Sequence, residues 1–276
     1  RDSVARLVGS EMCIRDSPGA VALMLIAVGG ALLVWALRSE RAERPILGPR
    51  PAGELPDTRA PLVLGVVLWF AAQIVAIGLL RPEPGAPQPG VVLTLTAMQL
   101  LVALLLLRPA LGGTRRPATG PGRLAALAFG GGLVAYAAAS VTTLLVVQGY
   151  GLAGAEVPSQ NVGDLVAAAS GHGLAAMILS AVVFAPIAEE VVFRGLLFPA
   201  LAKVMPVRAA LVGQALLFGF FHFFTDPSKW ALSLPLAAVG LCAGWLYHRS
   251  GSLWAAAGLH AAYNALQVGF LVSGTG

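Results

Sequence analysis

The sequence predicts an all-α fold, a polytopic membrane bundle of about eight transmembrane helices forming one domain. Of the 276 residues, 57% are hydrophobic and only 11% are charged. Soluble proteins average roughly 25% charged residues, so this chain has too few charges to cover a soluble domain of its size. The apolar residues also form blocks of about 20, the length that a helix needs to cross a bilayer.

The blocks predict where each helix crosses the membrane. The expected spans are 19–37, 61–80, 91–107, 124–148, 174–203, 208–224, 230–248 and 252–272. The fifth is longer than a bilayer requires, and the third is short. We find neither an internal repeat nor an inverted symmetry between the halves of the chain.

The distribution of basic residues supports this span count and predicts an orientation. The net charge is +5, and connectors 38–60 and 108–123 carry five and four arginines, whereas 81–90 carries one and 149–173 none. Basic loops face the cytoplasm in membrane proteins, so this alternation places both termini outside. Because the arginines flank apolar blocks and form no basic face with aromatics, we expect no nucleic-acid partner.

Several conspicuous residues are expected to be structural. Cys242 is interpreted as a small core residue, because two cysteines are too few for a disulfide framework. His172 is expected in a solvated loop and His248 at a helix end. The tryptophans fall inside or near the ends of spans and are expected to be mostly interfacial anchors; they are Trp35, Trp69, Trp230, Trp245 and Trp254.

The fifth span contains charges that a bilayer should reject. Glu189, Glu190 and Arg194 lie in a run of Val, Leu, Ala and Phe. An ionisable side chain at membrane depth costs at least ~2.5–3.5 kcal/mol and therefore indicates a functional site. Glu190 and Arg194 have the i, i+4 spacing of a helical ion pair. Glu189 has no local partner, so it must find one on another helix or be protonated.

Two later spans carry imidazoles that are candidate partners. Phe218 and His222 share one face of the sixth span, and His260 and Asn264 share one face of the eighth. Alone, the first pair is more typical of a core histidine satisfied by a backbone carbonyl than of a site. The second pair is as typical of polar contacts between membrane helices as of a site. Together with Glu189 they form a set suited to peptide hydrolysis: a carboxylate and an imidazole can activate water, and two donors can hold an oxyanion.

Other chemistries stay open at this point. The three motifs contain neither serine nor cysteine, so a covalent mechanism has no obvious nucleophile. Glu189, His222 and His260 could instead hold zinc from three helices, although the zinc-protease signature His-Glu-x-x-His is absent. Two alternatives to an enzyme stay open. One is a membrane transporter, and the other is a non-catalytic immunity or partner protein of the same fold.

The three motifs resemble those of a known family. Glu189-Glu190-x-x-x-Arg194, Phe218-x-x-x-His222 and His260-x-x-x-Asn264 have the order and intervals of the CPBP intramembrane proteases, also called the ABI family, which includes the CAAX prenyl endopeptidases. The segment from His248 to Trp254 is similar to the usual lead-in of the third motif. The resemblance covers roughly 174–272.

The resemblance implies an intramembrane, metal-independent glutamate endopeptidase without a cofactor. Glu189 would activate water, His222 would orient or share the proton, and His260 and Asn264 would form the oxyanion site. Supporting roles would fall to Glu190, Arg194 and Phe218. The implied partners are the lipid bilayer and a membrane-embedded or lipidated peptide or protein, whose identity does not follow from the motifs.

The chain is accordingly divided into three parts. Residues 1–17 are interpreted as a non-native or disordered tail, because Arg1-Asp2-Ser3 recurs as Arg15-Asp16-Ser17 and the segment resembles translated sequencing-adapter sequence. Residues 18–148 are transmembrane helices without a recognised motif, and 174–272 are the catalytic core. We expect a multi-pass protein of a bacterial cytoplasmic membrane.

Overall fold

A computed structural model of the chain describes residues 27–31, 55–80, 89–112, 120–157, 171–222 and 227–274. These residues form mostly helices, and the described ranges contain no strand. The predicted fold class, a helical membrane bundle, is confirmed. The proposed tail at 1–17, together with all of the predicted first span except 27–31, lies outside the described residues.

The helix bounds agree with the remaining predicted spans to within a few residues. The helices are α1 (Arg59–Leu80), α2 (Pro89–Leu105), α3 (Leu107–Leu111), α4 (Pro121–Leu152), α5 (Gly171–Ala202), α6 (Val207–Phe221), α7 (Ser233–Ser250) and α8 (Leu253–Gly274), with a 3₁₀ turn at Pro227–Leu232 before α7.

Four of the described helical stretches are long and apolar enough to cross a membrane: α1, α4, α5 and Lys229–Ser250. The helices α2 and α6 are apolar but shorter. The count of eight spans therefore stays a prediction.

The outer surface of the bundle is apolar. Ile74, Leu79 and Leu145 are 71%, 76% and 68% exposed. An apolar exterior on this scale suits acyl chains better than water. By contrast, two charged side chains of α5, Glu190 and Arg194, are completely buried.

Small residues allow the long helices to approach closely. α4 packs along α7 and α8. A Cβ atom added to Gly132 would lie only 2.6 Å from the Cβ of Ala262 on α8. Such contacts between small residues are typical of membrane helices, whose association depends on close packing rather than on the hydrophobic effect.

The motif helix α5 departs twice from α-helical hydrogen bonding. Residues Ser180–Phe184 and Val191–Leu197 are π-helical, and the α-helical segment between them, Ala185–Glu190, ends on the acid pair. Pro186 in that segment has no N–H to donate, which interrupts the regular ladder. Short π-helical stretches inside helices are frequent at functional sites.

The N-terminal helices are attached to the motif helix. Thr58 receives the first backbone bond of α1 on its carbonyl, and its buried hydroxyl donates to the Leu196 carbonyl on α5. Beside it, hydrogen bonds from Arg59 lower the pKa of the exposed Asp57 carboxyl to about 2. The helices before the motifs are therefore anchored to the helix that carries the acid pair.

Candidate active site

Glu189, the acid on α5 that has no partner on its own helix, faces two imidazoles from other helices. Glu189 Oε2 lies 3.7 Å from His222 Nε2 and 4.0 Å from His260 Nε2. The Glu189 side chain is 14% exposed, His222 33% and His260 5%. Both distances exceed a direct hydrogen bond but leave room for a bridging group.

The second acid belongs to a fully buried network. Glu190 Oε1 accepts from Arg194 at 2.8 Å, as the i, i+4 spacing predicted, and also lies 3.0 Å from His260 Nδ1. Neither Glu190 nor Arg194 is exposed. The ion pair offsets the cost of burying two charges, and its contact with His260 fixes one catalytic candidate.

A backbone carbonyl on α7 completes this network. The Gly240 carbonyl accepts from Arg194 at 2.9 Å and from Gln214 Nε2 at 3.0 Å. Gln214 lies on α6 and is completely buried. Sequence reasoning missed Gln214, because a lone glutamine on an apolar helix is usually a contact between helices. A buried amide at an interval of four from Phe218 was the signal that could have identified it.

Phe218 supports the site through its ring. The ring is 1% exposed and lies beneath the Arg194 guanidinium, 4.7 Å from its central carbon. It also contacts the rings of His222 and His260, with centroid distances of 4.9 Å and 5.4 Å. The electron-rich face of the Phe218 ring attracts the Arg194 guanidinium. The ring also packs against the two imidazoles and restricts their orientation.

His222 lies at the C-terminal end of α6, and its Nδ1 is 2.8 Å from the Phe218 carbonyl. A carbonyl only accepts, so Nδ1 donates, and the neutral ring therefore presents an unprotonated Nε2 to Glu189. The C-terminal end of α6 therefore lies beside the middle of α5.

The turn before α8 positions His260. Gly251 adopts the left-handed conformation, φ 67°, and its N–H caps α7 through the Tyr247 carbonyl. Ser252 then accepts from the Ala255 N–H and starts α8. This turn lies in the lead-in to the third motif, and it sets the rotation of α8 that directs His260 toward the acid pair.

Asn264 binds elsewhere on the motif helix. Its Nδ2 donates to the Ala181 carbonyl at 2.7 Å. Ala181 belongs to the first π-helical stretch, where the shifted hydrogen bonds free a carbonyl for a side chain. Asn264 thus ties α8 to α5, and its place in an oxyanion site stays a prediction.

A cavity of about 170 Å³ opens beside Glu189 and His222. The remaining lining comes from α1, α2, α5 and α6: Trp69, Phe70, Gln73, Gln99, Phe193 and Phe221. A second cavity of about 170 Å³, almost entirely apolar, adjoins it and shares Trp69, Phe193 and Phe221. Trp69 is an exception to the interfacial anchors expected for most tryptophans, because it is 7% exposed and lines both cavities.

The other two histidines lie away from this arrangement. His172 is exposed and belongs to the first turn of α5, not to a loop as expected. It lies seventeen residues before Glu189, about 25 Å along the helix. His248 lies in the last turn of α7 and contacts the ring of Phe198. Within the described ranges, no three His, Cys, Asp or Glu side chains are grouped so as to hold a metal ion.

A comparison with models of protein families gives a match that covers these three motifs. Residues 171–266 match the family model described as type II CAAX prenyl endopeptidase Rce1-like. No curated protein and no solved structure matches the chain significantly. The family is one of membrane-embedded proteases, which agrees with the apolar helices found here. The part of the chain that carries Glu189, His222 and His260 is therefore similar to the CPBP, or CAAX protease-like, family of membrane endopeptidases.

Proposed function

We propose that this chain is a glutamic-type endopeptidase in which Glu189 activates water to cleave a membrane-associated peptide or protein. The proposal rests on three hydrogen-bond acceptors that lie close together: a carboxylate oxygen of Glu189 and one ring nitrogen each of His222 and His260. Glu189 Oε2 lies 3.7 Å and 4.0 Å from the Nε2 atoms of His222 and His260. With each Nδ1 proton directed to another acceptor, both neutral rings present a lone pair at Nε2.

Three acceptors cannot bond to one another, but a water molecule can donate to two of them. A water held in this way keeps a lone pair for attack on a carbonyl carbon. The apolar walls of the adjoining cavity strengthen these polar contacts, because the local dielectric constant is lower than in bulk water. The geometry therefore supports general-base hydrolysis by Glu189 with help from His222.

The proposed reaction conserves protons. As the water oxygen bonds to the carbonyl carbon, Glu189 accepts the released proton. When the tetrahedral intermediate collapses and the C–N bond breaks, the departing nitrogen receives that proton. An oxyanion contact from His260 Nε2 requires a second proton on this ring, taken up from solvent before the reaction and kept through it. The Glu190 carboxylate at Nδ1 would stabilise that cation, and Glu189 and His222 would then be the two acceptors that hold the water.

The proposal requires no metal ion, because three acceptors suffice to hold and deprotonate water. The zinc alternative would use the same three side chains. Purified protein in a strong chelator distinguishes the two: unchanged peptide cleavage is expected, and loss of cleavage that zinc restores would favour the metal enzyme.

We expect the substrate to approach from the bilayer. The cavity beside Glu189 is walled by aromatic side chains of membrane helices, which favours an apolar or lipidated segment over a soluble peptide. A bacterial cytoplasmic membrane stays our expectation for the location, and the arginine-rich connectors would face the cytoplasm. Membrane fractionation and accessibility labelling of those connectors test both points.

Substitution of His222 tests the role of its Nε2. Asparagine can keep the donor to the Phe218 carbonyl but offers nothing at the position of Nε2, whereas glutamine can place an oxygen acceptor near it. We expect His222→Asn to lower kcat by about 10²-fold, at the lower end of general-base effects, and His222→Gln to lose less. The measurement is cleavage of a membrane peptide in proteoliposomes. Equal activity of His222→Asn and the wild type would remove His222 from the mechanism.

A further inference from the structure

The cavity beside the candidate catalytic acid contains two polar side chains that no motif accounts for. Gln73 on α1 and Gln99 on α2 line it, and both lie outside the family match. Neither carboxamide makes a hydrogen bond with another described residue, in contrast to Gln214 and Gln267. Glutamines in membrane helices usually serve as contacts between helices, and these two do not.

Helix geometry explains how Gln73 reaches the site. Leu62, Val66, Trp69 and Gln73 follow intervals of four, three and four, so they form one stripe along α1. The first three line the apolar cavity, and Trp69 and Gln73 line the cavity at Glu189. The stripe therefore changes from apolar to polar where it reaches the acid.

The second helix brings Gln99 to the same place. α2 packs on α1 and on the segment Ala185–Glu190 that carries the acid pair. Two carboxamides from neighbouring helices thus border one cavity of about 170 Å³ with the carboxylate and the His222 imidazole. Its other lining residues are aromatic, and one of them, Trp69, also has an indole N–H that is buried without a partner among the described residues.

A peptide substrate in this cavity must satisfy its own backbone. A bond can be attacked only when the peptide is locally unwound, and unwinding inside a membrane leaves N–H and C=O groups without water or helix partners. An unpaired backbone group in an apolar site is costly. A carboxamide offers one acceptor and two donors and can pair with a peptide unit as a neighbouring β-strand does.

We propose that Gln73 and Gln99 are substrate-positioning residues that hydrogen-bond the unwound substrate backbone on either side of the bond that is cleaved. The inference rests on the proposed peptidase function and extends it to the helices before the motifs. These helices then have a definite part in the reaction: they hold an extended peptide, and α5, α6 and α8 cleave it.

The test uses Gln73→Leu and Gln99→Leu in the full-length protein in proteoliposomes. The probe is a membrane-spanning peptide that the wild type cleaves, chosen from a synthetic library, together with analogues in which one backbone amide near the cleaved bond is replaced by an ester. Gln148→Leu is the matched control, because Gln148 is exposed on α4 and lines neither cavity.

Each variant is expected to lower kcat/KM for the all-amide peptide about tenfold, as loss of one or two hydrogen bonds implies. At one position, replacement of the amide by an ester should lower the kcat/KM of the wild type by a similar factor. The same replacement should not lower kcat/KM further in the variant that lacks the glutamine bound to that amide. Such a match cannot arise from a role in folding alone. Gln148→Leu should behave as the wild type.

Wild-type kcat/KM in both variants would overturn the inference while leaving the peptidase proposal intact. The inference would also be overturned if each ester lowered kcat/KM equally in the variants and in the wild type. The glutamine would then not be the group that hydrogen-bonds the replaced backbone amide. If the wild type cleaves no library member, the proposed function itself fails, and the inference fails with it.

Discussion

Replacing Glu189 by glutamine is expected to lower kcat by about 10²–10⁴-fold, the range that a positioned general base contributes. Glutamine keeps the shape of the side chain but cannot accept a proton from water. Because Glu189 lies outside the buried Glu190–Arg194 network and has no direct hydrogen bond in the described structure, the substitution should not destabilise the fold. The measurement is single-turnover cleavage of a membrane peptide in proteoliposomes.

A matched control uses the exposed Glu156 after α4, where Glu156→Gln should leave turnover unchanged. The thermal unfolding midpoint of each variant in detergent should equal that of the wild type, so that lost activity reflects chemistry. Turnover of Glu189→Gln within a few-fold of the wild type would contradict general-base catalysis by this residue.

Replacing Arg194 by methionine is expected to produce the largest loss of stability. The substitution leaves the Glu190 carboxylate buried without its cation and removes the contact with Gly240. Breaking a buried ion pair on one side costs about 3–5 kcal/mol, which corresponds to a decrease of roughly 10 °C in the unfolding midpoint. Activity should fall as well, because the same carboxylate fixes His260.

Two further variants separate charge from packing. Arg108→Met removes an exposed arginine at α3 and should change the free energy of unfolding by less than about 0.5 kcal/mol. The double variant Glu190→Leu/Arg194→Met should regain much of the stability without regaining activity, since an apolar pair can replace a buried ion pair but cannot hold His260. A fully stable Arg194→Met protein would show that the pair is dispensable for the fold.

The contacts that depend on local spacing and on the order of the motifs could be predicted from the sequence. The i, i+4 interval predicted the Glu190–Arg194 ion pair, and the lack of a local partner for Glu189 predicted a partner on another helix. The limits of the long helices followed from the apolar blocks, because bilayer thickness sets their length.

Other features depend on packing between distant helices and left no local signal. The sequence predicted Arg194 as the only partner of the Glu190 side chain, whereas in the structure Glu190 also contacts His260, seventy residues away. The sequence did not predict the π-helical stretches of α5. Gln73 and Gln99 drew no prediction from the sequence, because glutamines in apolar helices usually bridge helices.

The central claim is that Glu189 activates a water molecule that adds to a peptide bond. Its most direct test is mass spectrometry of a membrane peptide incubated with purified wild-type protein in ¹⁸O-labelled water and a strong chelator. We predict a single new C-terminus that carries one ¹⁸O atom, formed at least about 10²-fold more slowly with Glu189→Gln. Labelled product from Glu189→Gln at the wild-type rate, or none from the wild type, would contradict it.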